Sequence, residues 1–419
     1  MIIKNFKSLS ATKTRKDALE IVNAGIEGVV VKPLMHREIN ISGNILKIKN
    51  NTWDLSKYKR IFVIGAGKAS ADMAETIEKV LGERISKGIV IDTQSRQLSK
   101  IKVIKGTHPL PSKVNIEATK EIIKLLENSE KDDLIISLIS GGGSTLMISS
   151  NLPLKEQIEL NKMLLKRGAD IIEINTIRKH LSNISGGQLA ELASPSTLIS
   201  LIISDVITNQ IDVISSGPTV MDPTTVNDAK KIQKKYSLPN LPLIETPKNK
   251  LINVSNILLI TNIYAAEAMK KKAESLGYKV KILTTQLKGD AKAMGKKLSN
   301  LIKPNQALIA TGETTVKVKG NGLGGRNQEL VLSACRFIKN GVIISCSTDG
   351  VDFIPESAGG IIDENTIIKA DKLQLKIKDF LDNNDSYNFL RKVNGVIKTG
   401  KTGTNVGDLL LVLGNKRLL

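Results

Sequence analysis

Short β-branched runs alternate with helical periods along most of the chain. Ile61–Ile64 reads as a strand, and Ala69, Met73, Ile77, Val80 and Leu81 behind it fall at helical spacing, which gives one buried face. Gly88–Ile91 and Ile101–Ile104 read as strands, and Asn115–Leu126 as a helix. Asp133–Ile139 is apolar enough for a strand covered on both faces. Helical stretches over about Leu154–Arg167 and Asp170–Leu181 precede another buried strand, Leu198–Ser204. Strands alternating with helices argue for parallel sheets with helices on both faces. The pattern breaks at Tyr236–Asn253, where Pro239, Pro242 and Pro247 exclude a regular helix or central strand. It then restarts: Ile257–Ile260 strand, Ala265–Leu276 helix, Lys279–Leu283 strand, Asp290–Ile302 helix, Ala307–Ala310 strand, a long helix from Gly325, and the strand Val342–Ser347. The expected domains are therefore 1–240 and 250–419.

At 419 residues the chain has room for two or three domains, and its 41% hydrophobic and 24% charged content is that of a globular protein. No apolar run approaches the ~18 residues of a membrane span, and the first residues lack the apolar core of a signal peptide. Two cysteines, Cys335 and Cys346, suit a reducing, cytoplasmic setting. The formal charge of +20 admits a nucleic-acid reading. However, the lysines are dispersed and aromatics make up only 3% of residues, so a solvated lysine-rich surface fits better, with no nucleic-acid or membrane partner.

The candidate chemistry lies where strands end, the place where open α/β sheets bind ligands. Gly65-Ala66-Gly67-Lys68-Ala69-Ser70 follows the first strand. Glycines permit the turn there, and free N–H groups at a helix start attract an anion. It is not a Walker A loop, because Phe62 sits five residues before Gly67. It is closer to a dinucleotide fingerprint, with Ser70 at the third glycine position and Asp92 placed as a ribose-binding acid. Lys68 points instead to a phosphate or a transferring phosphoryl group. Ser140-Gly141-Gly142-Gly143-Ser144 after Asp133–Ile139 offers a run of N–H groups for an anion.

Arg178 in Arg178–Ser182, with Gly186-Gly187 behind it, can fork onto a carboxylate or phosphate. His108, in Thr107–Pro111, and His180 are acid–base candidates that also suit structural hydrogen bonding. Asp205, in Ser204-Asp205-Val206 ahead of Ser216–Thr219, can hold Mg²⁺ or take a proton from a hydroxyl. The second half adds Glu313 in Thr311–Thr314. Gly320–Glu329 follows, where Gly324 and Gly325 precede Arg326 and Asn327 at a helix start. Asp349 in Thr348–Asp352 is a further metal candidate, and Thr399–Asn405 a further glycine–hydroxyl loop. Such loops suit a polyanion gripped for phosphoryl transfer, which needs positioning, cations and a metal.

In order and spacing, Gly65–Ser70, Thr107–Pro111, Ser140–Ser144, Arg178–Ser182, Ser204–Val206 with Ser216–Thr219, Gly312–Thr314, Gly324–Glu329, Thr348–Gly350 and Thr402–Asp408 resemble the glycerate 2-kinase family, two-domain kinases with a C-terminal MOFRL domain. The resemblance spans about residues 14–413. It implies a doubly wound Rossmann-like large domain, a smaller α/β domain and a site in the cleft between them. It also implies ATP- and Mg²⁺-dependent phosphorylation of D-glycerate to 2-phosphoglycerate. The family's active-site lysine and arginine match Lys68 and Arg326, and truncating either is expected to leave the fold intact. Asp205 is taken as hydroxyl base or metal ligand. Arg178 and His108 are taken as substrate-binding, and the glycine loops as the phosphate cradle. Ile207-Thr208-Asn209-Gln210 stands where the family carries Gly-Asp, and Phe353 where a glycine is usual. Some relatives are described as hydroxypyruvate reductases, so an NAD(P)H-dependent reductase is the alternative. A homodimer is left open.

Overall fold

The computed structural model describes residues 1–416. The chain forms two compact units, Val31–Leu259 and Met1–Val30 together with Ile260–Leu419. Among the described residues no helix is long and apolar enough to cross a membrane.

In the first unit, six strands lie in the order Ile101–Lys105, Lys87–Asp92, Arg60–Ala66, Asp133–Ile139, Thr197–Ile203, Val254–Ile260. The first five pair in parallel. Numbered by position in the chain, the order is 3-2-1-4-5-6, the doubly wound arrangement. Asp133–Ile139 is buried at every position, as its unbroken apolar run requires. Helices Ser70–Leu81 and Lys113–Glu127 lay their apolar stripes on this sheet. The strand order reverses between Arg60–Ala66 and Asp133–Ile139, so the loops after these two strands meet at the switch point. A three-stranded antiparallel sheet over residues 39–54 precedes them, and its short strands carry no periodicity long enough to read.

The second unit has a mixed sheet in the order Lys279–Leu287, Gln306–Gly312, Asp408–Gly414, Gly341–Ser347, Gly359–Asp363, Val396–Ile397. Only the first pair is parallel. The alternation pattern predicts a parallel sheet here. The difference arises because the last strand enters between two earlier ones without a crossover helix and pairs antiparallel with both. The helix beginning at Arg326 ends at Ala334, so it is nine residues rather than long.

Residues 1–30 belong to this second unit, whereas the proline break alone assigns them to 1–240. Helix Lys13–Glu27 buries Ala18, Leu19, Ile21, Val22 and Ile26. Gly25 lets it lie close, since a Cβ there would sit 2.6 Å from Met269 Cγ and 2.9 Å from Leu409 Cδ1. Arg15, buried, pairs with buried Asp363 at 3.1 Å, and Tyr278 donates to Asp17 at 2.8 Å. Contacts between positions this far apart leave no local trace in the sequence.

Candidate active site

At the switch point, Gly67 turns the chain with φ +142°, and a Cβ on it would meet Ser140 Oγ at 2.1 Å. The two loops are laced together: Lys68 N–H donates to Gly141 O at 2.9 Å, and Ala69 N–H to Ser140 Oγ at 3.1 Å. Lys68 is exposed and forms no ion pair among the described residues. Its stem crosses Gly142, where a Cβ would lie 3.2 Å from Lys68 Cε and 3.2 Å from His108 Cδ2. Asp205 rests on Gly141, with Oδ2 only 2.0 Å from where a Cβ would stand. The N–H groups of Gly141 and Gly142 make no hydrogen bond among the described residues. Lys68, His108, Asp205 and Gly141–Gly143 therefore form one cluster within this unit.

Burial raises the Asp205 pKa, and the Lys68 charge and its own N–H offset this in part. Burial, then repulsion from Lys68, lowers that of His108. Buried Asn115 fixes the His108 loop by accepting from Thr107 N–H at 3.0 Å and donating to Thr107 O and Thr145 O at 3.0 and 2.9 Å.

Asp92 does not stand free for a ribose. Its carboxylate accepts from Ala71 N–H at 2.8 Å and Gln94 N–H at 3.0 Å, and so caps the helix after the glycine loop. Ser70 is buried with its hydroxyl on Leu138 O at 3.2 Å. Gly65 serves packing, since a Cβ would lie 2.3 Å from Leu138 O.

Ser215 is a participant that sequence reading misses. Ser215 and Ser216 hold φ of 52° and 60°, left-handed values costing on the order of 1–2 kcal/mol each. Ser215 Oγ donates to Ser140 O at 2.8 Å, and Ser216 Oγ pairs with Ser144 Oγ at 2.8 Å. Buried Lys179 anchors the turn through Asp222 at 3.2 Å and Asp212 at 3.6 Å. The sequence signal was there as Ser215-Ser216-Gly217-Pro218, a turn between strand and helix. His180 is fully buried and bonded to Ile244 O at 2.8 Å, a structural role. Arg178 is half-buried beside a cavity of 280 Å³, with Nε donating to Asn161 Oδ1 at 2.9 Å.

In the other unit the Arg326 fork is engaged by protein. Nε and Nη2 donate to buried Asp408 at 2.6 and 3.0 Å, and Nη1 lies 2.6 Å from Glu313. Burial works against the charge, yet Asp408, with Glu313 and Asp352 adding, carries the guanidinium pKa above its ordinary value. The glycines before it approach their own chain: a Cβ on Gly324 would meet Ser386 Oγ at 2.0 Å, and one on Gly325 would meet Asp352 Cγ at 2.3 Å. The N–H groups of Lys319, Asn321 and Leu323 are taken by Asn384, Asn383 and Asp385. Asp352 caps the helix, accepting from the N–H groups of Asn327 and Gln328 at 3.2 and 2.9 Å, and burial pushes its pKa up to about 6. Asn327 is buried between Asp352 and Ser345.

Asp349 accepts from Ser347 Oγ at 2.8 Å and Val351 N–H at 2.9 Å. No three metal-ligating side chains converge among the described residues. Mg²⁺ commonly takes one or two carboxylates and completes its octahedron with phosphate oxygens and water. Asp205, beside unbonded N–H groups, fits that; Asp349, with one oxygen already accepting twice, fits it poorly.

A 3-2-1-4-5-6 sheet with a lysine and a carboxylate on glycine loops at its switch point defines a doubly wound α/β protein built to hold an anionic small molecule. Residues 17–244 match the model described as Domain of unknown function (DUF4147), and residues 306–408 match the MOFRL family. The chain is 34% identical to a Glycerate 2-kinase of Pyrococcus horikoshii, over 96% of this chain and 98% of the relative. It is 38% identical to a D-glycerate 2-kinase of Thermotoga maritima, over 84% and 90% of the two chains. The crystal structure of a Thermotoga maritima glycerate kinase superposes with a TM-score of 0.87 at 35% identity, covering 95% of this chain and 99% of that one. The chain belongs to the glycerate 2-kinase family.

Proposed function

We propose that this protein transfers the γ-phosphoryl group of ATP to the 2-hydroxyl of D-glycerate, forming 2-phospho-D-glycerate and ADP. The observation that carries the reading is the gathering of Lys68 and Asp205, unpaired with each other, on the Gly141–Gly143 loop, in a chain aligned along nearly its whole length with glycerate 2-kinases. Phosphoryl transfer asks chiefly for positioning and for charge stabilisation on the moving group. The N–H groups of Gly141 and Gly142 receive phosphate oxygens. Lys68, exposed and free of a carboxylate partner within 4 Å, neutralises charge that builds on the transferring group. Asp205 orients the attacking hydroxyl and takes its proton. His108 hydrogen-bonds the acceptor. Arg178 supplies a cation to the substrates' anionic groups. Magnesium, held mostly by phosphate oxygens and water with Asp205 as the protein carboxylate, would neutralise the β- and γ-phosphates.

The hydroxypyruvate reductase alternative lacks its ribose acid, because Asp92 is a helix cap. The discriminating test is a paired assay on one preparation: ATP, Mg²⁺ and D-glycerate with ADP release read out, beside NADH oxidation with hydroxypyruvate. The expected result is ADP release only. NADH oxidation without ADP release would replace the kinase reading by the reductase.

A further inference from the structure

We infer that the cavity between the Thr107–Pro111 loop and helices Leu154–Lys166 and Ile171–Leu181 is the adenosine pocket, with Arg178 on the nucleotide's phosphates; this rests on the kinase reading and adds where the nucleotide sits. The cavity measures 280 Å³, near the lower end of the roughly 300–1,000 Å³ found for organic ligands. Its walls are mostly apolar: Pro109, Leu110, Pro111, Met147, Ile148 and Leu165. Two of these remain uncovered, Leu110 at 56% and Leu165 at 64% exposure. Glycerate carries oxygen on every carbon and has no surface with which to cover them. A purine ring does, and it stacks on proline and aliphatic side chains alike.

Charge selects further. Arg178 projects into the same cavity with its Nε fixed on Asn161, while its Nη groups make no hydrogen bond among the described residues. Burial without a carboxylate partner lowers its pKa, so an incoming anion is favoured there. The ligand that satisfies both walls and cation is therefore an anion with an apolar planar body. Continuity points the same way: Ser144 and Thr145, which line the cavity, follow directly on the Gly141–Gly143 loop proposed for the phosphates. One nucleotide can run from cavity to loop without a break.

Calorimetry in the absence of glycerate tests this, with ADP and inorganic pyrophosphate as probes. ADP is expected to bind at least tenfold more tightly than pyrophosphate. Leu165→Glu, at an exposed position that folding does not depend on, should weaken ADP on the order of tenfold and leave pyrophosphate within twofold. Arg178→Met should weaken both probes, with melting curves confirming that each variant folds. In steady-state kinetics Leu165→Glu should raise KM for ATP and leave KM for D-glycerate within twofold. Equal affinity of the wild type for ADP and pyrophosphate would overturn the inference. So would a Leu165→Glu variant that binds ADP normally but shows a raised KM for glycerate, which would give the cavity to the acceptor. Binding is read without turnover, so the two readings fail separately. The pocket stands if Leu165→Glu loses ADP while the wild type phosphorylates no glycerate. The kinase reading stands if turnover is normal while the pocket variants leave ADP binding unchanged.

Discussion

Gly141→Ala is the smallest change that moves Asp205 without altering it. The new Cβ would stand 2.0 Å from Asp205 Oδ2 and 2.5 Å from Cγ, whereas ordinary contact begins at 3.4 Å. The carboxylate must therefore retreat by about 1.4 Å, and a misplacement of ~1 Å at reacting groups can cost ~10²-fold. Gly141 lies outside the left-handed region, so alanine adds no backbone strain of its own. The two closest contacts are side-chain atoms that χ1 rotation can move, and the Asp205 Cβ at 3.1 Å needs a shift of only a few tenths of an ångström, so the fold should absorb it. The expected result is a fall of about 10²-fold in kcat with D-glycerate and ATP, and a melting temperature within a few degrees of wild type. Gly43→Ala is the control for a substituted glycine away from the site: nothing lies within 4 Å of its new Cβ, and its φ of +59° makes it carry about 1 kcal/mol of backbone strain that Gly141→Ala does not. It should leave kcat unchanged. Near-wild-type kcat for Gly141→Ala, in a variant that still melts cooperatively, would refute the role of Asp205 and the placement argument with it.

Three further outcomes follow from the same geometry. Lys68→Ala should lower kcat/KM by ~10³-fold, about 4 kcal/mol, and, by removing a like charge, should raise the His108 pKa. Proton NMR can follow this among only three histidines, and an unmoved His108 titration would separate the two residues. Arg326→Ala leaves Asp408 buried without its partner, so it should destabilise the fold by ~3 kcal/mol in denaturant melts; unchanged stability would refute this. Phe353 holds φ +66° and is 77% exposed, so Phe353→Gly should stabilise by about 1 kcal/mol, and a lower melting temperature would count against the strain.

The parallel sheet was legible because its strands are continuous apolar runs. Asp133–Ile139 is found with the bounds its pattern predicts. Loops bearing Lys68 and Asp205 were legible for the same reason, since a strand end fixes where a loop must begin. What escaped the sequence was the partner on the other side. The glycine-rich run before Arg326 looks built for a ligand, yet Gly324 and Gly325 make room for Ser386 and Asp352 of their own chain. Arg326 looks like a free fork until Asp408, 82 positions later, is seen to hold it. That pair changes the expectation that truncating Arg326 spares the fold. Asp92 has the spacing of a ribose acid, and only three dimensions show its oxygens spent on Ala71 and Gln94. Phe353 shows the reverse case: a left-handed backbone, which glycine would adopt without strain, carries a bulky residue.

The most direct test of the proposed activity is product identification. The protein is incubated with ATP, Mg²⁺ and D-glycerate, and phosphorus and carbon NMR locate the new phosphoester. The expected product carries phosphate on the C2 oxygen, formed in step with ADP and abolished by chelator. Phosphate on the C3 oxygen would contradict the assigned position, and the absence of any phosphorylated glycerate from folded, nucleotide-binding protein would contradict the activity itself.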